Sequence, residues 1–113
     1  MGEEPLSEGM VEVVAQRFKA LGEPARLRIL DALRGGALTV SEIMTATFLQ
    51  QANVSGHLRV LHGLGFVERR KEKLNVYYSL QSEDVFRLCD IMCARVEAEV
   101  RRSARTIGVR RLT

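Results

Sequence analysis

The spacing of apolar residues in the first third of the chain predicts two helices. The first runs from about residue 10 to residue 20, and the apolar residues on one of its faces are Val11, Val14, Phe18 and Leu21. The second starts after Gly22, with Glu23 near the N-cap and Pro24 at the first helical position, where its missing N–H is not needed. A Gly-Gly pair ends this helix, and its predicted inner stripe is Leu27, Leu30 and Leu33.

The next two predicted helices are separated by only a few residues. Thr39 and Glu42 have the spacing of a capping box, so a short third helix is expected from about residue 40 to residue 47. Gly65 supplies a left-handed stop for a fourth helix, whose inward stripe at i, i+4 and i+7 is Val54, Leu58 and Leu61. The opposite face has small residues, short hydrogen-bonding groups and one arginine but no acid: Ala52, Asn53, Ser55, Gly56, Arg59 and Gly63. Such a face can approach another surface closely.

After residue 65 the apolar period changes from about 3.6 to about 2 residues. The strings FVERR and NVYYSL, joined by KEKL, predict a β-hairpin with Val76, Tyr78 and Leu80 on one face. Ser82 is expected to cap a long last helix, whose acidic first turn suits the helix dipole. The fold class is therefore mainly α with a small hairpin, a winged helix-turn-helix. In that architecture the fourth helix enters the major groove of DNA and the hairpin, or wing, reaches the flanking backbone or minor groove.

The length of 113 residues predicts one domain with a modest core. We expect an acidic tail at 1–9, a DNA-binding and dimerisation domain at 10–107 and a basic tail at 108–113. The net charge of +3 is unevenly spread, since residues 52–80 carry five basic side chains against two acidic ones. Residues 101–113 carry five arginines and no acid. Segregated positive charge of this kind indicates a polyanionic partner, with nucleic acid the leading candidate.

Several functional classes are disfavoured by the sequence. No apolar run approaches the roughly 18 residues needed to span a bilayer, and the acidic N-terminus has no apolar core of a secretory signal, so we expect no membrane partner and a cytoplasmic location. The two cysteines are expected to be reduced thiols. A thiol enzyme would need a base within hydrogen-bond reach, but both histidines lie in the fourth helix, and no nucleotide fingerprint is present. The chain is not expected to be an enzyme.

Four stretches carry a resemblance to a known family: FKALGEPARLRILDAL, LTVSEI, VSGHLRVLHGLGFVERR and VYYSL. They resemble the ArsR/SmtB family of bacterial winged-helix repressors over roughly residues 15–95. The resemblance implies a homodimer, with the first and last helices at its interface, that binds an inverted-repeat operator and is released by an inducer. The chain departs from the family pattern at Phe48, where a glycine is frequent, and in the third helix, where TVSEI replaces a cysteine-containing motif. The last helix also lacks the histidines of the family's other inducer site between Glu83 and Val100.

The residues expected to contact double-stranded DNA lie on the fourth helix and the hairpin: Gln51, Asn53, Ser55, Gly56, His57, Arg59, Arg69, Arg70, Lys71, Lys73 and Tyr77. Arg59 is expected to read a base edge, because it is the only long donor on its face, and the basic hairpin residues are expected to contact phosphates. His57 either positions the helix as a partly buried, hydrogen-bonded side chain or contacts a base. Tyr77 is expected to be exposed near DNA. An alternative function is a winged-helix protein-interaction module, which the basic bias disfavours.

Cys89 and Cys93 lie four residues apart on the apolar face of the last helix. Three interpretations stay open. The thiols pack as small apolar groups at a dimer seam; they bind a thiophilic ion such as As(III), Cd or Zn, with sulfurs from both protomers; or they sense oxidation between subunits. A disulfide within one chain is disfavoured, because Cβ atoms four residues apart on a helix are about 5–6 Å apart and a disulfide needs about 3.5–4.5 Å.

Overall fold

A computed structural model describes residues 4–107, which form five α-helices and one β-hairpin. The helices are α1 (Glu8–Leu21), α2 (Pro24–Ala32), α3 (Val40–Thr47), α4 (Gln51–Gly63) and α5 (Asp84–Ile107), with a short 3-10 turn (Leu33–Gly35) after α2. The strands are β1 (Val67–Glu72) and β2 (Asn75–Leu80). The chain divides into two compact units, of which one ends at Gln81 and the other begins at Ser82.

The helix starts follow local capping chemistry. The side chain of Glu23 accepts a hydrogen bond from the backbone N–H of Ala25, as expected for the cap of α2. Thr39 and Glu42 form the predicted capping box, with N···O distances of 2.9 and 3.2 Å. The prediction for α1 was wrong by two residues. The hydroxyl of Ser7 accepts from the N–H of Met10, so the helix starts earlier, at Glu8.

The core of the first unit is formed by α2, the 3-10 turn that follows it, α3 and α4. Its fully buried large side chains are Ile29, Leu30, Leu33, Ile43, Val54, Leu58 and Leu61. The predicted inward stripe of α4 is thereby confirmed. The predicted stripe of α2 was wrong at Leu27, which is 40% exposed. The turn angle of about 100° per residue places Ala25, Ile29 and Leu33 on one side of α2 and Leu27 nearly opposite that side.

The turn between α3 and α4 is built around Phe48. Phe48 adopts a left-handed conformation, with φ 61° and ψ 21°, and its N–H donates to the carbonyl of Met44. The buried side chain of Thr47 stabilises the end of α3, because its hydroxyl donates to the carbonyl of Ile43 at 2.7 Å. The ring of Phe48 is 93% exposed. A bulky residue thus occupies a backbone conformation that glycine adopts at lower cost.

The hairpin is a regular antiparallel pair from Val67↔Leu80 to Glu72↔Asn75. Its two-residue turn lacks glycine, and Lys73 takes the positive φ of 57°. On the other side of β2, Leu38 and Tyr78 exchange two backbone hydrogen bonds, of 2.9 and 2.8 Å. The segment that leads into α3 is therefore tied directly to the wing.

The second unit contains α5. The hydroxyl of Ser82 accepts from the N–H of Asp84 at 3.1 Å. The N–H of Arg87 donates to the carbonyl of Glu83, so Glu83 is at the N-cap position and Ser82, the predicted cap, lies one residue before it. Asp84 also pairs with Arg87 one turn later, at 3.6 Å. Among the helices of residues 4–107, none combines the length and the apolar character that crossing a bilayer would require. The expected basic tail at 108–113 lies outside the described residues.

Candidate nucleic-acid interface

Helix α4 has one buried face and one open face. Val54, Leu58 and Leu61 are at most 1% exposed and anchor the helix on the core. On the opposite side Ala52, Gly56, Arg59 and Gly63 are all exposed. A Cβ atom built at Gly56 would meet nothing within 4 Å, so the space beside this residue is open. The arrangement allows another surface to approach the backbone of α4 closely.

The N-terminal turn of α4 projects polar groups. Gln51 and Asn53 are exposed and Ser55 is half-buried. The N-cap residue Gln50, within the described part of the chain, forms no side-chain cap, so the first backbone N–H groups of α4 have no capping oxygen. Free N–H groups at a helix start favour anionic groups such as phosphates.

His57 lies at the edge of the buried stripe and is half-buried. Its Nδ1 accepts a hydrogen bond from Nε of Arg26 on α2, at 3.2 Å. Arg26 also donates from Nη1 to the carbonyl of Ala20, at 3.4 Å, and so joins α1, α2 and α4. Since a guanidinium group can only donate, Nδ1 of His57 is the acceptor of this bond. The sequence predicted the half-buried position of His57 but not its partner, which lies 31 residues away.

Arg59 is exposed and borders an open groove of about 400 Å³ between α1 and α4. Two more cationic side chains line this groove, Lys19 from α1 and Arg26 from α2. The lining contains no carboxylate. The groove was not predicted, because its charged residues come from three different helices.

The basic residues of the wing divide between its two faces. Paired residues of an antiparallel hairpin share a face, so Arg69 and Lys71 lie with their partners Tyr78 and Val76, and Arg70 lies on the other face with Tyr77. Arg69, Arg70, Lys71 and Lys73 are all exposed, as expected for phosphate contacts.

Arg70 differs from the other basic wing residues because it has partners within the hairpin. Its guanidinium group lies 5.6 Å from the centre of the Tyr77 ring and 3.1 Å from a carboxylate oxygen of Glu72. Tyr77 is half-buried, less exposed than expected. Arg69 and Lys71 have no such carboxylate on their face of β1. Both are therefore available for an external anion.

Both cysteines of α5 are thiols, Cys89 half-buried and Cys93 exposed. Within residues 4–107 no group of three or more His, Cys, Asp or Glu side chains is placed to hold a metal ion. One chain thus offers two soft ligands one helical turn apart. This is fewer than a complete site for a thiophilic ion needs.

Comparison with known proteins agrees with this geometry. The family model for the arsR family of bacterial regulatory proteins matches residues 23–69, which extend from the start of α2 into β1. The HTH-type transcriptional regulator NmtR of Mycobacterium tuberculosis is 38% identical over 86 residues, covering 76% of this chain and 72% of NmtR. The chain belongs to the arsR family. Proteins of this family are DNA-binding transcriptional regulators and not enzymes, which confirms the prediction from the sequence.

Other arsR-family relatives extend the comparison. A homolog of the cadmium resistance transcriptional regulatory protein CadC from Staphylococcus aureus is 40% identical over 78 residues, covering 68% of this chain and 64% of the homolog. The homodimeric winged helix-turn-helix DNA-binding domain of a possible ArsR-family regulator from Mycobacterium bovis superposes with a TM-score of 0.74 at 33% identity, covering 88% and 94% of the two chains. The winged helix-turn-helix fold predicted for this arsR-family chain is therefore confirmed.

Proposed function

We propose that the protein is a transcriptional repressor that binds an inverted-repeat operator as a homodimer and is released from it by an inducer. The observation that carries the proposal is the open face of α4. This face presents small residues and one exposed arginine and has no acid, and three fully buried side chains on the opposite side anchor the helix to the core. A face of this kind suits the major groove, where side chains meet base edges at close range.

The proposed DNA contacts divide by role. Arg59 reads a base edge, and the N-terminal turn of α4, with Gln51, Asn53, Ser55 and Gly56, approaches bases and phosphates. Arg69, Lys71 and Lys73 contact the backbone from the wing. Arg70 and Tyr77 contribute as a stacked pair. His57 acts through its bond to Arg26 by fixing the angle of α4.

A homodimer is supported by exposed apolar side chains on two helices. On α1 these are Met10, Val11, Val13 and Phe18, and on α5 they are Leu88, Ile91, Met92 and Val96. Exposed apolar groups in such numbers are typical of interfaces. A two-fold dimer that covers them would set two recognition helices one turn of DNA apart, about 34–36 Å. The homodimeric state of the Mycobacterium bovis relative supports the same assembly.

We propose a thiophilic ion, such as As(III), Cd or Zn, as the inducer. Cys89 and Cys93 lie one turn apart on α5, and a two-fold axis near them would bring up to four sulfurs together. The name of the Staphylococcus aureus relative links that protein to cadmium resistance. Oxidation between subunits is the alternative use of the same thiols, and a purely packing role would leave the inducer elsewhere.

The test is operator binding by fluorescence anisotropy, with the DNA upstream of the protein's own gene and a scrambled duplex of equal length. We expect affinity at least 1000-fold higher for the first duplex. Arsenite, cadmium, zinc and peroxide are then added singly, and one of the three ions is expected to release the DNA. Equal affinity for both duplexes would contradict specific operator binding. Release by peroxide alone would replace the ion with redox sensing.

A further inference from the structure

The groove between α1 and α4 concentrates positive charge from three helices. Lys19, Arg26 and Arg59 all line it, with the apolar side chains of Val60 and Leu64 along the α4 side. Within the described residues neither Lys19 nor Arg59 forms an ion pair or a side-chain hydrogen bond. Three cations without a carboxylate among them repel one another, so an anion in the groove would lower the electrostatic energy.

Arg26 is held in a fixed orientation at the groove. Nε donates to His57 and one Nη1 hydrogen is directed at the carbonyl of Ala20. A guanidinium group has five N–H donors, so three remain for another acceptor. A planar guanidinium group matches the spacing of two oxygens of a phosphate group. Lys19 adds a flexible ammonium group, and Arg59 adds a second guanidinium group.

We propose that this groove is a binding site for a free oxyanion of the phosphate class, and that the bound anion competes with operator DNA for Arg59. The second part rests on the proposed function, in which Arg59 reads a base. Among the charged residues that line the groove, Arg59 is the one that also belongs to the open face of α4. When it folds onto an anion beside Lys19 and Arg26, it is withdrawn from the DNA-facing side. The anion therefore weakens specific operator binding.

The first experiment measures anion binding to the free protein without DNA. Inorganic phosphate is titrated at constant ionic strength, with chloride as the balancing anion, and amide and arginine Nε–H signals are followed by NMR. We expect saturable shifts at Lys19, Arg26 and Arg59. Lys19→Gln should weaken phosphate binding by about tenfold or more, as expected for losing a charged hydrogen bond. Arg28→Gln removes the same charge from an exposed position outside the groove and should leave the affinity unchanged.

The second experiment compares operator affinity in phosphate and in chloride at equal ionic strength. The ratio of the two dissociation constants should rise with phosphate concentration for the wild type and for Arg28→Gln. For Lys19→Gln the ratio should stay near one over the same range. Because each variant is compared with itself, a change in its basal affinity does not affect the result.

Three outcomes would overturn the proposal. The first is the absence of saturable phosphate shifts at the groove in the free protein, which would leave the proposed DNA-binding function untouched. The second is phosphate binding that Lys19→Gln does not weaken. The third combines two results. Lys19→Gln flattens the slope of log operator affinity against log salt by about one unit, and the free wild-type protein binds no phosphate. That combination would assign the groove to a phosphate of the DNA backbone instead of a free anion.

Discussion

Nε of Arg26 donates a hydrogen bond to Nδ1 of His57 across 3.2 Å, and this contact joins α2 to the recognition helix α4. His57 is half-buried beside the core residues Leu58 and Leu61. The imidazole therefore connects the core of the first unit to the guanidinium group that also lines the groove between α1 and α4. We therefore expect His57 to set the orientation of α4 on the core rather than to contact a base.

We predict that His57→Ala lowers the free energy of unfolding by about 1–2 kcal/mol, because it leaves a partly buried donor of Arg26 without its acceptor. Urea denaturation measures this loss. Affinity for operator and for scrambled DNA should fall by similar factors, since a tilted helix misplaces all contacts together. A loss restricted to the operator would show instead that His57 reads a base.

Arg59→Ala is predicted to reduce operator affinity by about 1–3 kcal/mol and to relax specificity at one position of each half-site. The physical reason is the loss of a bidentate contact to a base edge. Anisotropy with a set of singly substituted operators measures both effects, and Arg28→Ala serves as the charge-matched control. If Arg59→Ala lowered the affinity for operator and for scrambled DNA by the same factor, Arg59 would be a phosphate contact.

Basic residues on the two faces of the wing are expected to contribute differently to the salt dependence of DNA binding. Lys71→Ala is predicted to flatten the slope of log affinity against log salt by about one unit, because one phosphate contact and its released counterion are lost. Arg70→Ala should flatten it less, since Arg70 is partly neutralised by Glu72 at 3.1 Å. Titrations between roughly 50 and 200 mM salt distinguish the two variants. If Arg70→Ala flattened the slope more than Lys71→Ala does, the ion pair between Arg70 and Glu72 would have to break when the protein binds DNA.

Phe48→Gly is predicted to stabilise the free protein by about 1 kcal/mol, because glycine adopts the left-handed conformation without the steric cost of a Cβ atom. The exposed ring contributes little packing that could be lost. Phe48→Ala keeps the Cβ atom and should give no such gain, so it is the matched control. Urea or thermal denaturation measures both variants. Destabilisation by Phe48→Gly would mean that the ring makes contacts in a dimer.

The double variant Cys89→Ser/Cys93→Ser is predicted to remain dimeric at micromolar concentration and to bind the operator, but to lose the response to the inducing ion. Serine keeps the size of the side chain but is a poor ligand for thiophilic ions. Sedimentation and anisotropy measure the two properties. A variant that still releases DNA with the same ion would limit the cysteines to packing, and a monomeric wild type would contradict the dimer.

Local signals in the sequence predicted most of the fold. The capping box of Thr39 and Glu42 placed α3 correctly, and the i, i+4, i+7 stripe placed the buried face of α4, because both depend on residues within two turns of each other. Leu27 shows the limit of such patterns. Several apolar residues of α2 fit a helical stripe, and only the packed neighbours decide which of them are buried.

The candidate site was predicted less completely because parts of it depend on contacts between distant residues. The exposed face of α4 follows from one helix, and its residues lie where expected. The bond between Arg26 and His57, and the groove that adds Lys19, depend on how three helices pack. The division of the wing cations between two faces depends on the strand register. No local pattern determines these features.

The order of charges along strand β1 affects how the protein behaves when it is not bound to DNA. In the described residues its outer edge has no partner strand, and such edges tend to pair with other chains. After Val67 the strand reads ERRKE, a sequence whose charges are the same in both directions. If two copies paired antiparallel about Arg70, Glu68 would face Glu72, Arg69 would face Lys71 and Arg70 would face itself. Every cross-strand pair would be repulsive, so this charge palindrome opposes edge-to-edge aggregation.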